Sequence, residues 1–390
     1  MRRALTLLAI LPLLLLAACG GGDDGGGGSS GGGGGGPTNP DPGPRAPLPS
    51  AWQTLDYYFG VELIAGGLNM PVKMDQAPDG RLFVSLLDGD ILVIETTPPF
   101  TQHPFASEVV LNGSEQGLLG IALSPQFASN GHVFVMVCVN DVTNQQQIVR
   151  YTATGNTGGS RTVIFNDIPT GNIHNAGGIK FGLDGNLFVS VGDVGNDTLA
   201  QTNGSLAGRI LRMTPSGGVP TGNPKGAPDE YEWCRGLRNS FGIAVHPTQG
   251  FVVGTENGPT NNDELNYLAS GKNFQWGDTG GTTPGAEIGS RLRLWPSVIV
   301  PTGVTYHSGN TLPPVGYDTS LFLCSYDEAR VYRFLVDGTP PVNISEEHVF
   351  GQLNPAGNNN KPLDIIEGID GSLYLSTFTA IWRIYKRTGP

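Results

Sequence analysis

Apolar residues in this chain come in short runs. Leu82-Phe83-Val84-Ser85-Leu86, Val133-Phe134-Val135-Met136-Val137 and Leu373-Tyr374-Leu375 are typical, with Gly, Pro, Asn or Asp between the runs every few residues. No long stretch repeats apolar positions at the helical period, so the pattern predicts strands joined by tight turns, an all-β fold. One arrangement recurs: an apolar strand, a turn such as Asp-Gly, then a second apolar strand ending in a small polar residue. It occupies residues 72–95, 120–139, 177–193, 242–258, 315–334 and 363–386. The turns at Asp79 and Asp370 are 291 residues apart (370 − 79) over five intervals, a mean period of about 58. In several copies a third apolar stretch follows, at 91–95, 148–151, 210–213, 331–334 and 381–385. Antiparallel units of three or four strands at such a period predict a six-bladed β-propeller. A sandwich of unrelated hairpins is the competing arrangement, and the shared turn position argues against it. Val61-Glu62-Leu63-Ile64 precedes the first copy and is placed to close the ring by pairing with the last blade. Innermost strands line the channel of a propeller, so polar residues just outside them are the site candidates.

The N-terminus is a separate matter. Residues 1–18 carry Arg2-Arg3 and then an apolar run to Ala18, too short for a comfortable membrane span and shaped like a secretory signal. Leu16-Ala17-Ala18-Cys19 resembles a bacterial lipobox, which implies that Cys19 is lipidated and becomes the mature N-terminus. Gly20, rather than Asp, follows it; by the same resemblance the anchored protein belongs on the outer membrane, facing the periplasm or the cell surface. Residues 19–50 are Gly-rich and then Pro-rich, a composition that buries no core and predicts a disordered tether. The folded domain is then 51–390. The net charge of −12 and the lack of a basic cluster exclude nucleic acid as a partner and tolerate bound cations. Three cysteines follow Cys19: Cys138 and Cys324 sit in apolar strands, Cys234 in a polar stretch expected to be a loop.

Chemistry concentrates between Gly236 and Asn266. Two short strands, around 241–245 and 251–254, flank the turn His246-Pro247-Thr248-Gln249-Gly250. Arg238 and Asn239 precede the first strand; Glu256-Asn257-Gly258-Pro259 and then Asp263-Glu264 follow the second. A Gly-Pro pair frees carbonyl oxygens from any strand ladder, and carbonyls beside carboxylates suit a hard cation such as calcium.

Several segments resemble the glucose/sorbosone dehydrogenase family, the soluble quinoprotein sugar dehydrogenases. They are Gly117-Leu118-Leu119-Gly120-Ile121-Ala122, His174-Asn175-Ala176-Gly177-Gly178 with Val191-Gly192-Asp193, Ser205 to Arg212, Gly236-Leu237-Arg238-Asn239, Thr255 to Pro259 with Asp263 to Asn266, and, more loosely, Asn273-Phe274-Gln275-Trp276-Gly277. The resemblance implies a six-bladed propeller that uses pyrroloquinoline quinone (PQQ) and Ca²⁺ to oxidise an aldose sugar at its anomeric carbon, with no electron acceptor specified. It implies His174 as the base and Asp193 as the carboxylate that orients it, a pairing that suits an imidazole working near neutral pH. Arg238 and Asn239 match the pair beside the quinone oxygens, Gly258 and Pro259 the calcium carbonyls, Asp263 and Glu264 a second calcium region. Glu115 and Asn257 stand at cofactor positions where the family carries Gln. Lys361 stands for one of two arginines expected before the sixth blade and Leu363 takes the place of the other; Asp327 falls at an expected Lys, with Arg330 close by, and Ile173 replaces an Asp before His174.

Two other readings fit the same residues. One is a non-catalytic, calcium-stabilised propeller that binds glycan or protein at the cell surface, favoured by the missing cations. The other is a metal-dependent hydrolase such as a lactonase, for which Asp193 and Glu256 are the carboxylates at inner-strand ends.

Overall fold

The structure, a computed structural model, describes residues 41–387 except 226–228, 279–286, 289, 309–316, 318, 339–342 and 357. Cys19, the signal peptide and most of the tether lie outside the described residues, as does the start of the fifth sequence repeat. The described strands form six sheets. Their innermost strands, Pro71–Gln76, Leu118–Leu123, Ile179–Phe181, Ile243–Val245, Pro301–Tyr306 and Pro362–Glu367, stand side by side around one axis, the last against the first. This is the six-bladed propeller that the repeat predicts.

The unbroken apolar runs now have a reason. The second strands Leu82–Leu86, Leu187–Val191 and Leu373–Thr377 are buried along their whole length. Each lies between two neighbouring blades, so both faces need apolar or internally bonded side chains and alternation disappears. Only outer strands such as Thr157–Ile168 and Asn343–Leu353 are widely exposed.

Ring closure is carried by the N-terminal strand. Phe59–Gly66 pairs antiparallel with Ala380–Lys386, with Val61 opposite Ile384 and Leu63 opposite Trp382. Just upstream, Trp52–Leu55 adds a fifth strand to blade 5 by pairing with Asn343–Leu353, which the sequence pattern did not indicate. The end of the expected tether also has a fixed place. Arg45 donates to the Leu55 carbonyl at 2.9 Å, and Arg387 donates to the carbonyls of Tyr57 at 2.8 Å and Pro42 at 3.3 Å. Residues 41–50, expected as the end of a disordered tether, therefore lie along the outer edge of blade 6.

Three further assignments need correction. The inner strand of blade 5 is Pro301–Tyr306, ahead of the segment that the repeat selects. Cys234 lies in the strand Glu232–Arg235 and is fully buried; with Cys138 and Cys324 it is a free, buried thiol. Asp263 and Glu264 open a third strand of blade 4, Asp263–Tyr267. In each case tertiary contacts turn a polar segment into a strand that local sequence does not announce.

At the axis the inner strands pass very close. A Cβ on Gly120 would come within 2.3 Å of the Gly177 oxygen, on Gly242 within 2.2 Å of the Thr302 oxygen, and on Gly303 within 2.5 Å of Asp364 Cα. Glycine is required here for close approach. At the equivalent level of blades 6 and 1 the chain carries Asp364 and Lys73. Lys73 Nζ lies 3.2 Å from Asp364 Oδ1, the Met74 N–H donates to Oδ2 at 2.9 Å, and the ammonium sits 4.1 Å from the centroid of the Phe241 ring. Burial lowers the Lys73 pKa, against the pull of Asp364.

Lys73→Met would leave the Asp364 carboxylate buried without its cation, which costs about 3–5 kcal/mol. The expected result is a fall of that size in urea unfolding, most of it recovered in the Lys73→Met/Asp364→Leu double variant. A single variant within about 1 kcal/mol of the wild type would show that the pair does not hold the closure.

Candidate active site at the channel mouth

In each blade, residues just before the inner strand and just after the second strand share one end of an antiparallel pair. Glu115, His174, Arg238, Asn239 and Lys361 precede inner strands; Asp193, Glu256, Asn257 and Asp327 close second strands. The topology therefore gathers all of them at one face of the ring, although they come from different blades.

His174 Nδ1 lies 2.7 Å from Asp193 Oδ1. Both side chains are largely buried, at 11% and 2% exposure. Oδ1 also accepts the Gly195 N–H at 2.8 Å, and Oδ2 accepts the Trp276 indole N–H at 2.8 Å. Burial pushes the Asp193 pKa up, but these bonds from His174, Gly195 and Trp276 together hold it below the usual carboxylate value. With Nδ1–H donating to the carboxylate, Nε2 of His174 is left as an acceptor, the tautomer a base requires.

The loop that carries His174 is held against its own preference. His174 and Ala176 have φ of 58° each, a left-handed conformation that non-glycine residues seldom adopt. Three side chains impose it. Glu115 accepts the His174 N–H at 2.6 Å, Asn239 Oδ1 accepts the Ala176 N–H at 3.1 Å, and Asn175 turns back to bond Gly171 through both its oxygen and its nitrogen. Gly192 gives the loop room, since a Cβ there would lie 2.0 Å from the His174 oxygen. Glu115 and Asn239, expected beside the cofactor, thus use hydrogen bonds to hold the loop that carries His174. Asn257 behaves similarly, its amide donating to the carbonyls of Asn239 and Pro301 at 3.1 Å each.

Arg238 is the second anchor. Its guanidinium donates to the Asn257 carbonyl at 2.9 Å and lies 5.6 Å from the centroid of the Trp276 ring. Its own carbonyl accepts the Asp193 N–H at 2.7 Å, which fixes blade 4 to the carboxylate of blade 3. Beneath it, Glu256 Oε1 accepts the N–H groups of Arg238 and Asn239, both at 2.7 Å, while Oε2 is buried without a partner among the described residues. Burial raises the Glu256 pKa to about 8 despite those two bonds.

Gly258 and Pro259 lie past the last ladder pair, Glu256 with Glu264, so strand pairing does not use their carbonyls. The acids nearby are otherwise engaged. Asp263 is fully buried and accepts the N–H groups of Gly258, Ile299 and Val300 at 2.7–2.8 Å, a cross-tie for the turn. Glu264 accepts from Asn266 and Arg291. Among the described residues there is no grouping of three or more His, Cys, Asp or Glu able to hold a metal. Of the pair considered for a hydrolase, Asp193 is occupied with His174, Trp276 and the Gly195 N–H, and Glu256 holds two backbone N–H groups through Oε1.

Lys361, expected as a cofactor cation, pairs with Asp327 at 3.4 Å and lies 4.6 Å from the centroid of the Tyr326 ring. Arg330 is turned to Gln352 at 2.6 Å and Glu328 at 3.5 Å. Leu363 is buried in its strand. The donor set still suits an anionic, planar ligand beside an oxygen-bound cation: two cations, Arg238 and Lys361, and two turn carbonyls share the mouth with an oriented imidazole. Trp276 is the residue that the sequence undervalued. Its only signal is the looser match around Asn273–Gly277, because it sits on a connection of blade 4 that folds onto blade 3.

The Glucose / Sorbosone dehydrogenase family model matches residues 68–384. Quinoprotein glucose dehydrogenase B of Acinetobacter calcoaceticus is 25% identical over 57% of this chain and 53% of its own length. Aldose sugar dehydrogenase YliI of Escherichia coli is 28% identical over 55% of this chain and 61% of its own length. The chain thus spans little more than half of either curated relative. The solved PQQ-bound aldose sugar dehydrogenase of Streptomyces coelicolor superimposes with a TM-score of 0.70 at 26% identity, covering 85% of this chain and 99% of that one.

Glu256 makes a pH prediction. Its folded pKa of about 8 lies above the model-peptide value of 4.5. Between those values the folded protein holds a proton that the unfolded chain has lost, so stability falls as pH rises through that window. Glu256→Gln keeps the two backbone bonds and removes the titration. The variant should match the wild type near pH 4.5 and become progressively more stable than it toward pH 8, by Tm. Parallel profiles would mean that Glu256 does not carry the buried proton.

Proposed function

The chain belongs to the glucose/sorbosone dehydrogenase family, and on that premise we propose that it oxidises an aldose sugar at its anomeric carbon with PQQ and calcium as cofactors. The observation that carries the reading is the His174–Asp193 pair at the channel mouth, bonded to each other and fixed by bonds from Glu115, Gly195 and Trp276. His174 Nε2 takes the proton of the anomeric hydroxyl, and Asp193 stabilises the imidazolium that results. PQQ, when bound, supplies the acceptor for the two electrons. Arg238 would lie against the developing negative charge on its oxygens, held ready by the Asn257 carbonyl and the Trp276 ring. Lys361 would meet a carboxylate, and the carbonyls of Gly258 and Pro259 would hold the calcium, with Asp263 bracing their turn. As part of the same proposal the protein is exported and anchored through lipidated Cys19, which membrane fractionation of Cys19→Ser would test. The sugar is the substrate of this reading, and an electron acceptor must take the two electrons from the reduced cofactor in each turnover, the part that a dye plays in the assay.

Titrating the purified protein with PQQ in the presence of Ca²⁺ should change the quinone spectrum and give dye reduction with aldoses. His174→Gln should keep the spectral change and lose about 10²–10⁴ in kcat. A wild-type protein that leaves the PQQ spectrum unchanged would overturn the reading in favour of a non-catalytic propeller.

Asp327 lies 3.4 Å from Lys361 and offsets the cation that a tricarboxylate needs. Asp327→Asn should therefore tighten PQQ binding by about three- to tenfold, measured by the same titration. Equal or weaker binding would remove Lys361 from the site.

A further inference from the structure

Trp276 reaches the site from an unusual direction. It lies on the connection that leaves the third strand of blade 4, Asp263–Tyr267, yet this connection pairs in parallel with the outer strand of blade 3 through Arg235 and Asn273. There it is pinned on several sides. The Phe274 N–H donates to the Arg235 carbonyl and the Trp276 N–H to the Gly236 carbonyl, both at 2.9 Å. Gln201 donates to the Trp276 carbonyl at 2.7 Å and to Asn273 Oδ1 at 3.0 Å. Gln275, just before the tryptophan, has φ of 69°, a left-handed conformation tolerated only where its surroundings impose it. The fold thus accepts strain in order to aim one side chain.

What that side chain touches is specific. Its N–H meets Asp193 Oδ2, the oxygen that does not face His174, and its ring faces the Arg238 guanidinium. The indole remains part-exposed, so it is not there to fill a core. A carboxylate bonded at one oxygen only can rotate about its Cβ–Cγ bond and present either oxygen to the imidazole. Bonded at both, it is fixed in plane. We propose that Trp276 is a positioning residue that sets the plane of Asp193 with its N–H and the place of Arg238 with its ring, joining the base of blade 3 to the cation of blade 4. The charged side chains that touch it are Asp193 from blade 3 and Arg238 from blade 4, with His174 on the far oxygen of Asp193. This inference rests on the proposed reaction for its kinetic consequences, but its structural core does not.

The test separates the two. Trp276→Phe keeps an aromatic face for Arg238 and deletes the N–H donor. In the protein without cofactor, a ¹³C carboxyl NMR titration should show Asp193 titrating about 0.5–1 unit higher in the variant than in the wild type. A merely structural role would lower Tm and leave that titration unmoved, which would overturn the inference. With PQQ and Ca²⁺, kcat for aldose oxidation should fall about tenfold with KM within about twofold, and the acidic limb of the rate profile should move. A wild type inactive with bound PQQ would defeat the functional reading while the NMR arm still judged Trp276. Should Trp276→Phe not fold, Gln201→Ala, which loosens the connection without touching the indole, should shift Asp193 in the same direction by a smaller amount. No shift in that folded variant would also count against the inference.

Discussion

Six inner strands meet around one axis, and the space they leave each other is the constraint on which the rest of the structure depends. At the narrowest level blades 2 to 5 carry glycine, since a single Cβ there would meet the backbone of the next blade. Blades 6 and 1 carry Asp364 and Lys73 in its place, an ion pair at the junction where the chain must close on itself. Such a pair contributes little net stability, because burying two charges costs about as much as their attraction returns. Its value is in registry: a carboxylate that must find both the Lys73 ammonium and the Met74 N–H allows one alignment of the last blade on the first. The antiparallel pairing of Phe59–Gly66 with Ala380–Lys386 completes that closure at the outer edge.

With the ring fixed, residues far apart in the chain converge at one face, and the hydrogen bonds there run mostly from side chain to backbone. Glu115, Asn239, Glu256 and Asp263 all accept backbone N–H groups. Each holds a loop in a place or conformation that it would not keep alone, which is how a site on loops acquires the rigidity of its scaffold. The result is a short continuous assembly. Glu256 supports Arg238, the Arg238 carbonyl takes the Asp193 N–H, and Asp193 bonds His174, while Trp276 touches both Asp193 and Arg238. With Glu115 of blade 2 bonded to the His174 N–H, the geometry of the His174–Asp193 pair is a property of three blades.

The electrostatics of the mouth are less one-sided than an anionic cofactor would favour. Lys361 shares its charge with Asp327, and Arg330 is directed away to Gln352 and Glu328. Arg238 is the cation most securely aimed at the site, because its partners are a carbonyl and a ring rather than a carboxylate. Under the proposed function this balance would place the weight of anion binding on blade 4 and make the acid at 327 the residue that tunes it.

The hydrophobic pattern alone determined the propeller, its blade number and the closing role of residues 61–64, because a repeated turn between buried runs is a local signal. The resemblance to the dehydrogenase family brought out His174 and Asp193, while Arg238 already stood out as a cation before an inner strand; all three lie in short turns read without knowing their neighbours. What the sequence could not supply was the work of contacts between distant segments. The true inner strand of blade 5, the strand character of Cys234 and Asp263, and the docking of residues 41–50 all depend on partners from elsewhere in the chain. So do the roles of Glu115 and Asn239, whose side chains are as plausible beside a cofactor as beside a backbone N–H until the loop at His174 is seen in its left-handed turn. Trp276 is the clearest case. Its partners, Asp193 and Arg238, lie 83 and 38 residues away (276 − 193 and 276 − 238), and only the folding of a blade 4 connection onto blade 3 makes an indole N–H part of the site.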